Sequence, residues 1–254
     1  MRIGAIPLNR IVTPRQQGYA DALRSIFGNS LIGLWPQDET AGTVAYDRSG
    51  RGHNGAYTGV TLANGDSIRG TKAPLYDGTN DFNNIYSAAL AAAFNGVEGT
   101  LLCWARVSAA GVWTDGGMRY IVNIQADVNN YIIVRKGAEV NNLAMLVKGG
   151  GQASDIATGT FSGTGWMCLA LTWSVVGGAL IGYLNGAVLH KDDSLTSVGN
   201  WAGVPAATLT CIGAQTTGGA YPWSGLIGPV ALLNYAATHA QIKAAYDAAL
   251  PLPA

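Results

Sequence analysis

Charged residues are scarce in this chain: Asp, Glu, Lys and Arg make up 12% of its 254 residues, about half of the ~25% that is typical of soluble domains. The formal net charge is zero, and Lys and Arg never form a run. These features argue against nucleic-acid binding through phosphate neutralisation. A weakly charged surface also keeps molecules apart poorly, which favours burial of part of it in an assembly.

Cysteines are few, and long apolar runs are missing. The three cysteines, Cys103, Cys168 and Cys211, lie in apolar, strand-like segments, and no CxxC occurs. We therefore predict free core thiols and no zinc site. Residues 1–7 lack the apolar core of a secretory signal, and no apolar run reaches the ~18 residues that a membrane span needs. We expect a protein that contacts no membrane.

Glutamates are also rare, which bears on catalysis. Only Glu39, Glu98 and Glu139 occur, each isolated and near a turn. A glycosidase needs two carboxylates that face each other across a cleft. On a strand, that requires acidic residues at i and i+2 or i+4 on one face, and the predicted central strands carry almost none. The sequence therefore predicts a non-enzyme.

Glycine is abundant, with 35 residues scattered between apolar runs. This pattern indicates many turns between many strands. The strongest single signal is Asn185-Gly186, between two apolar strand-like runs. A two-residue type I′ turn needs φ > 0 at both central residues, which Asn and Gly supply at low steric cost. The sequence therefore predicts a β-hairpin here.

Short strands bounded by turn residues recur from residue 100 onward. Apolar residues on both alternating faces predict a sheet that is covered on both sides; in the first strand, Leu102 and Trp104 face one way, while Leu101, Cys103 and Val107 face the other. The predicted strands cover residues 101–107, 119–125, 131–136, 143–148, 166–173, 179–184, 187–190, 208–214 and 226–235. Residues 36–70 are rich in turn formers.

Short helices are predicted near both ends. Thr13 and Gln16 form a capping box before an apolar stripe over residues 14–27, and Thr238 and Gln241 form another before a last helix. Residues 90–94 are predicted to be a helical turn. We divide the chain into an N-terminal extension, residues 1–28, and one β domain, residues 29–254. The first helix packs either on its own sandwich or on a neighbouring subunit.

Several separated motifs together resemble the laminin-G-like, concanavalin A-like jelly-roll domains. The motifs are Leu34-Trp35 and the segments 38–43 (DETAGT), 47–55 (DRSGRGHNG), 76–82 (YDGTNDF), 100–104, 166–172, 183–186 (YLNG), 212–213 and 223–227. The resemblance spans residues 30–247. It implies an all-β fold, an antiparallel two-sheet jelly-roll sandwich, with the short helices added at the two ends.

The resemblance also implies a structural calcium site that would include Asp47 and Asp81. The family usually carries an Asp-Glu pair after its closing G-x-I, but here Gly228 and Pro229 stand at those positions. We therefore expect no required cofactor, and calcium is the one structural ion that the resemblance allows.

Aromatic residues near loops are the candidates for contact with a ligand. Those near loops are Trp113, Tyr120, Tyr131, Trp201, Tyr221 and Trp223, whereas Trp35, Trp104, Trp166 and Trp173 lie in strands. We select Trp113, Trp201 and Tyr221 as predicted ligand-binding residues. Aromatics at such positions suit a protein interface equally well.

The leading functional hypothesis is a non-enzymatic structural module of a virus particle. The sequence before the domain, residues 19–23, resembles a leader seen on such domains in phage structural proteins. This suggests a capsid decoration or tail-fibre component that assembles with itself, as a homo-oligomer, or with other virion proteins. The alternative is a lectin or adhesin domain that binds surface glycans. A glycoside hydrolase of the same fold is the third and least favoured hypothesis.

Overall fold

Sixteen strands and three α-helices form the described part of the chain, residues 18–192 and 201–253, in the computed structural model. The α-helices are α1 (Tyr19–Phe27), α2 (Ala88–Ala93) and α3 (His239–Asp247). The strands are β1 (Leu31–Trp35), β2 (Val44–Ala45), β3 (Gly55–Thr58), β4 (Thr61–Asp66), β5 (Lys72–Asp77), β6 (Phe82–Asn84), β7 (Glu98–Val107), β8 (Arg119–Asp127), β9 (Asn130–Lys136), β10 (Leu143–Gly149), β11 (Gln152–Thr158), β12 (Met167–Ser174), β13 (Ala179–Leu184), β14 (Ala187–Asp192), β15 (Thr210–Ile212) and β16 (Ser224–Leu233).

The strands pair into two antiparallel sheets. The first sheet has the order β14-β13-β12-β7-β16-β5-β4, and β1 also pairs with β16. The second sheet has the order β11-β10-β9-β8-β15-β6-β3-β2. Neighbouring strands are often distant in the sequence, as in a jelly roll, so each sheet mixes hairpins with long crossovers. The predicted all-β, two-sheet jelly-roll sandwich is confirmed.

The strand β7 shows how the two faces of the first sheet are used. Leu101, Cys103 and Val107 belong to the core between the two sheets. Leu102 and Trp104 belong to a separate core on the outer face of the first sheet. This is the alternation that the sequence predicts, because successive side chains in a strand point to opposite faces. The first sheet is therefore buried on both sides.

The helices α1 and α3 cover that outer face, with Trp104 between them. The Trp104 indole donates a hydrogen bond to the Tyr19 hydroxyl of α1, at 2.9 Å. The Tyr246 ring of α3 stacks on Trp104 with centroids 5.9 Å apart. Leu23 and Phe27 of α1 are buried in the same cluster. The first helix thus packs on its own sandwich, which is the first of the two arrangements that we considered.

The helix ends agree partly with the sequence. The capping box of α3 is present: the Thr238 hydroxyl accepts from the Gln241 amide, and the Gln241 side chain accepts from the Thr238 amide. The helix α1 begins at Tyr19, after an extended Gly18, and the capping box that was predicted at Thr13 lies outside the described residues. The division of the chain at residue 28 stays a prediction. None of the described helices combines the length and the apolar character that a membrane span requires.

The hairpin predicted at Asn185-Gly186 joins β13 to β14. Asn185 has φ 52° and Gly186 has φ 76°, and Leu184 pairs with Ala187 on either side of the turn. The Asn185 side-chain oxygen also accepts from the Cys168 amide of β12, at 2.9 Å. The turn residue therefore holds a third strand in addition to its own hairpin.

Two substitutions separate these roles of Asn185. We expect Asn185→Gly to lower the free energy of unfolding by about 1 kcal/mol, because it removes one hydrogen bond but keeps the positive φ accessible. We expect Asn185→Ala to lower it by about 2 kcal/mol, because alanine also disfavours the left-handed region. Urea unfolding of both variants measures the difference. Equal losses would contradict a conformational role for this residue.

The predicted strands after residue 100 are present with ends shifted by a few residues, but the sequence missed others. The strand β11 follows Gly150 and Gly151 and has a polar sequence, so its alternation is weak. The strands β2 to β4 lie within the segment that turn-forming residues dominate. Tertiary pairing at the sheet edges stabilises these short, polar segments even though their composition favours turns.

Candidate functional site

The structure places Trp113 in the core, contrary to its predicted role in ligand binding. Its side chain is 0% exposed, and its indole nitrogen donates to the Gly163 carbonyl, at 2.8 Å. The rings of Phe161 and Trp223 contact it edge-on, with centroids 4.9 and 6.5 Å away. A sugar can stack only on an exposed ring face, and Trp113 has none.

Trp201 lies at the margin of the core and is partly exposed. Its ring packs edge-on against Phe94, with centroids 5.1 Å apart, and its indole nitrogen donates to the Gly203 carbonyl. The ring also lies so close to Gly96 that a Cβ there would be 2.0 Å from the indole. Trp201 therefore closes one end of the hydrophobic core between the sheets.

Tyr221 is the most accessible of the three predicted residues, with 50% of its surface exposed. It lies beside Tyr120, with ring centroids 6.0 Å apart, and its carbonyl accepts from the Tyr120 amide, at 2.9 Å. Tyr221 therefore stands at the rim of the second sheet, and the other two predicted aromatics occupy the core and its margin.

The residues around Asp47 do not fit a calcium ion. The Asp47 carboxylate accepts hydrogen bonds from the amides of Leu34, Ser49 and His53 and from the Ser49 hydroxyl, at 2.7–2.9 Å. Asp81 accepts from the Asp77 amide, at 2.8 Å, and burial raises the pKa of Asp81. Among residues 18–192 and 201–253, no three His, Cys, Asp or Glu side chains form a group that could hold a metal ion.

In the described part of the chain, Ser87 and His53 are in contact, and the contact has a structural role. The Ser87 hydroxyl lies 3.1 Å from His53 Nδ1, but Ser87 is also the N-cap of α2 and accepts from the Leu90 amide. His53 is buried, and its carbonyl accepts from the Trp35 indole, at 2.7 Å. The hydroxyl therefore ties the start of a helix to a loop and does not face a cleft.

The three glutamates are placed apart from one another in the fold. Glu39 is buried and accepts from the Tyr46 amide and the Tyr57 hydroxyl, each at 2.8 Å. Glu98 begins β7, and Glu139 is exposed in the connection between β9 and β10. The Glu39 carboxylate therefore holds the loop around Tyr46 against β3.

The outer face of the second sheet brings several aromatic and basic side chains together. On β9, Ile132 and Val134 belong to the inter-sheet core, so Tyr131, Ile133 and Arg135 point outward. On the neighbouring strand β10, Leu146 and Lys148 point outward for the same reason. We call the outward residues Tyr131, Arg135, Leu146 and Lys148, together with the buried Tyr120 opposite Arg135 and Tyr221 at the rim, the tyrosine face.

Each of two tyrosines on this face is paired with a cation. The Arg135 guanidinium lies over the Tyr120 ring, 5.6 Å from its centroid, and also donates to the Tyr120 hydroxyl. The Lys148 ammonium lies over the Tyr131 ring, 5.7 Å from its centroid. The register explains both pairs, because Tyr120 is opposite Arg135 and Tyr131 is opposite Lys148. Tyr131, Arg135 and Lys148 remain partly exposed.

The pKa of Tyr131 depends on several neighbouring groups of this face. Partial burial raises the pKa of Tyr131, Arg135 opposes that rise, and Tyr120 and Asp155 add to it. Asp155 is exposed on the edge strand β11, opposite Leu146. The tyrosine face therefore combines aromatic rings and hydrogen-bond donors, and the Asp155 carboxylate lies beside it on the edge strand.

The sequence predicts a ligand-binding role for Tyr221, which lies at the rim of the tyrosine face, but it does not indicate Arg135 and Lys148 as members of that face. The alternation of core residues along β9 and β10 already indicates which side chains point outward. The pairing of β8, β9 and β10 decides which outward side chains become neighbours. The alternation along each strand does not predict that pairing. The two cations could therefore have been placed on an exposed face, but not above particular rings.

Two clefts lie on the helix-covered side of the molecule. One, of about 280 Å³, lies beside α1 and includes Asp21, Arg24 and Arg48 in its lining. The other, of about 290 Å³, lies between the β13–β14 hairpin and α3, with Val188 and Tyr246 in its walls. Both are at or below the ~300 Å³ that small-molecule pockets usually reach.

Comparisons with known proteins place this architecture among carbohydrate-related folds. A family model described as the concanavalin A-like lectin/glucanases superfamily matches residues 77–243. No curated protein sequence matches the chain. The fold is similar to the binding domain of botulinum neurotoxin serotype D, with a TM-score of 0.63 and 13% identity over 89% of this chain and 52% of that one.

Two further solved structures contain a sugar. The serotype D ligand-binding domain in complex with N-acetylneuraminic acid matches with a TM-score of 0.61 and 13% identity, over 89% of this chain and 52% of that one. Domain 4 of AbnA, a GH43 extracellular arabinanase from Geobacillus stearothermophilus, in complex with arabinotriose, matches with a TM-score of 0.57 and 18% identity, over 87% of this chain and 98% of that one. The chain spans about half the length of the toxin domains and nearly all of the arabinanase domain. At these identities the similarity shows the fold.

Proposed function

Because this chain belongs to the concanavalin A-like lectin/glucanases superfamily, we propose that it is a non-catalytic carbohydrate-binding domain that holds its ligand on the tyrosine face. The observation that carries the proposal is the difference between the outer faces of the two sheets. The outer face of the first sheet is buried under α1 and α3. On the second sheet, Tyr131, Arg135 and Lys148 keep part of their surface in solvent.

The chemistry of this face suits a saccharide. Aromatic rings offer apolar surface to the C–H faces of a sugar, and a tyrosine adds a hydroxyl that can hydrogen-bond. Guanidinium and ammonium groups add donors in fixed positions, because their side chains already rest on the tyrosine rings. The side chains stand on paired strands, and a site on rigid elements loses little entropy when it binds.

The similar structures support the same class of ligand. Two of them are sugar complexes, one with arabinotriose and one with N-acetylneuraminic acid. Those sugars belong to those proteins, so they support a glycan for this chain without naming it. The similar domains are binding domains, which fits a non-enzyme. The buried, hydrogen-bonded Glu39 also supports a role without catalysis.

A matched pair of tyrosine variants tests the proposal. We expect Tyr131→Ala to weaken binding to glycans found on an array by at least tenfold, since stacking and a hydroxyl are both lost. Tyr46→Ala is the control, because Tyr46 is 49% exposed and also lies under a cation, Arg48, 5.9 Å from the ring centroid. Tyr46 follows β2, which is five strands from β9 in the sheet order. Isothermal titration calorimetry measures both variants.

Two results would contradict this function. One is an array without any glycan that binds the folded wild-type protein. The other is an equal loss of affinity in Tyr131→Ala and Tyr46→Ala. Thermal unfolding of each variant checks that the chain remains folded.

A virion component, such as a capsid decoration or tail-fibre protein, is our second proposal. The observation that favours it is the low charge, 12% of residues with a net charge of zero, which suits burial in an assembly. The helix α1 no longer supports it, because the apolar residues of α1 pack on the first sheet of the same chain. Mass photometry and co-purification with particles test this proposal. A strictly monomeric protein that associates with no particle would remove it.

A further inference from the structure

We propose that the tyrosine face selects an acidic saccharide and that Arg135 binds the carboxylate of that sugar. This inference rests on the carbohydrate-binding function proposed above and narrows the class of ligand.

Arg135 makes its hydrogen bonds to neutral groups. Its Nη1 atom lies 3.1 Å from the Tyr120 hydroxyl and 2.8 Å from the Met118 sulfur. Its Nε atom is buried and makes no hydrogen bond with the described residues. A guanidinium is always charged and has five donors arranged to match a carboxylate. Tyr120 therefore fixes the position of the Arg135 guanidinium but, being a neutral group, leaves its positive charge uncompensated.

Five other cations among the described residues differ from Arg135 in this respect, whereas Arg51 likewise donates to neutral carbonyl groups. Ion pairs to an aspartate are formed by Arg24, Lys72, Arg119, Lys136 and Lys243. Across residues 18–192 and 201–253, neither Arg135 nor Lys148 has a carboxylate within salt-bridge distance; the Lys148 ammonium donates to the Val128 carbonyl, at 2.9 Å. The tyrosine face thus holds two unpaired positive charges.

The positions of the acidic groups favour Arg135 over Lys148 as the anion site. Asp155 is opposite Leu146 on the edge strand, so it lies one strand and two residues, about 8 Å, from Lys148 but two strands and two residues, about 12 Å, from Arg135. Lys148 also lowers the pKa of Asp127, although backbone and side-chain hydrogen bonds to Asp127 lower it more. Asp155 and Asp127 therefore repel an incoming carboxylate more strongly near Lys148 than near Arg135.

The neighbours of Arg135 supply contacts for the sugar ring. Tyr221 is half-exposed and lies beside Tyr120, so a pyranose whose carboxylate binds Arg135 can place its apolar face against the Tyr221 ring. Lys148 lies one strand across and four residues along the sheet from Arg135, about 14 Å away. That distance exceeds one sugar ring, so further units of an oligosaccharide can reach Tyr131.

Three matched ligands test this proposal by titration calorimetry. They are an oligogalacturonate, the same oligosaccharide with its carboxyl groups reduced to alcohols, and a sulfated neutral oligosaccharide of equal length. We expect the oligogalacturonate to bind at least tenfold more tightly than the reduced form, as one charge-assisted hydrogen-bonded contact predicts. We also expect its affinity to fall with added salt, because the contact is partly exposed.

Variants assign the effect to Arg135. We expect Arg135→Gln to lose about tenfold in affinity for the oligogalacturonate and to bind the reduced form as the wild-type chain does. Arg48→Gln, which removes a cation over a tyrosine at the far edge of the sheet, is the control and should bind both ligands normally. Thermal unfolding verifies that both variants are folded.

The outcomes separate this inference from the function on which it rests. Equal binding of the acidic and reduced forms overturns the inference and leaves the carbohydrate-binding function intact. Equal or tighter binding of the sulfated ligand overturns carboxylate recognition in favour of general anion attraction. Binding of neutral glycans on the array, without binding of the oligogalacturonate, overturns the inference as well. Failure of every saccharide to bind overturns both.

Discussion

Replacing Asp115 with alanine is expected to lower the free energy of unfolding by about 3 kcal/mol, because it leaves the buried Lys136 ammonium without its counter-charge. The Lys136 side chain is 0% exposed, and its Nζ lies 3.0 Å from the Asp115 carboxylate. It also donates to the Gly117 carbonyl, at 2.7 Å. The Asp115 carboxylate is shared with Arg119, at 2.6 Å. Removal of this one carboxylate therefore leaves two cations unpaired.

Urea unfolding of three variants tests the explanation. Asp115→Ala should show the full loss, and the double variant that adds Lys136→Met should recover much of it, because a buried ion pair can be replaced by apolar groups at little cost. Asp66→Ala is the control: Asp66 pairs with Lys72 at 2.6 Å, but the two side chains are 66% and 51% exposed. Exposed pairs contribute little. Similar losses at Asp66 and Asp115 would contradict the role of burial.

The effect of Asp115→Ala should also depend on pH. Burial raises the pKa of Asp115, but hydrogen bonds from Arg119, Lys136 and the Gly117 amide lower it by more, so its folded pKa is below the usual value. Because the unfolded pKa is about 3.9 and is the higher of the two, the contribution of the carboxylate is complete above about pH 4 and is lost as the pH falls through the folded pKa. The difference in stability between wild type and variant should shrink on acidification. A difference that stays constant would show that the charge is not responsible.

Replacing Asp47 with alanine is the second change for which we expect a large effect, a loss of about 3 kcal/mol or more. The carboxylate accepts four hydrogen bonds, and two of the donors, the amides of Leu34 and His53, belong to buried residues. A buried donor that loses its partner costs about 1–3 kcal/mol. The same loop places the His53 carbonyl where it accepts from the buried Trp35 indole. The substitution should therefore also weaken a hydrogen bond in the core.

Two comparisons distinguish this role from that of a calcium ligand. Asp47→Asn keeps one acceptor oxygen and should lose less stability than Asp47→Ala. Asp77→Ala is the control, since the Asp77 side chain accepts from the exposed Thr79 amide. This substitution should change the midpoint of urea unfolding little. We expect the loss in Asp47→Ala to be the same with calcium and with a chelator. A loss that appears only with calcium would assign Asp47 to a cation site.

The sequence by itself determined the class of fold. The alternation along β7 predicted its two buried faces, because side-chain direction in a strand repeats every two residues. The Asn185-Gly186 turn was predicted because its conformation depends on two adjacent residues. The capping box of α3 was predicted for the same reason, because it depends on two residues that are three positions apart. The motifs spread over residues 30–247 indicated the superfamily that the comparisons show.

Only the tertiary structure decided which side chains form the candidate site. Trp113 and Tyr221 both lie near loops, yet one is enclosed by Phe161 and Trp223 and the other is half-exposed. The contacts that bury a side chain come from residues far away in the chain, so local composition does not predict them. Arg135 lies over Tyr120 because of the register between β8 and β9. Register depends on packing across the whole sheet, which is why the cations of the tyrosine face could not be assigned from the sequence.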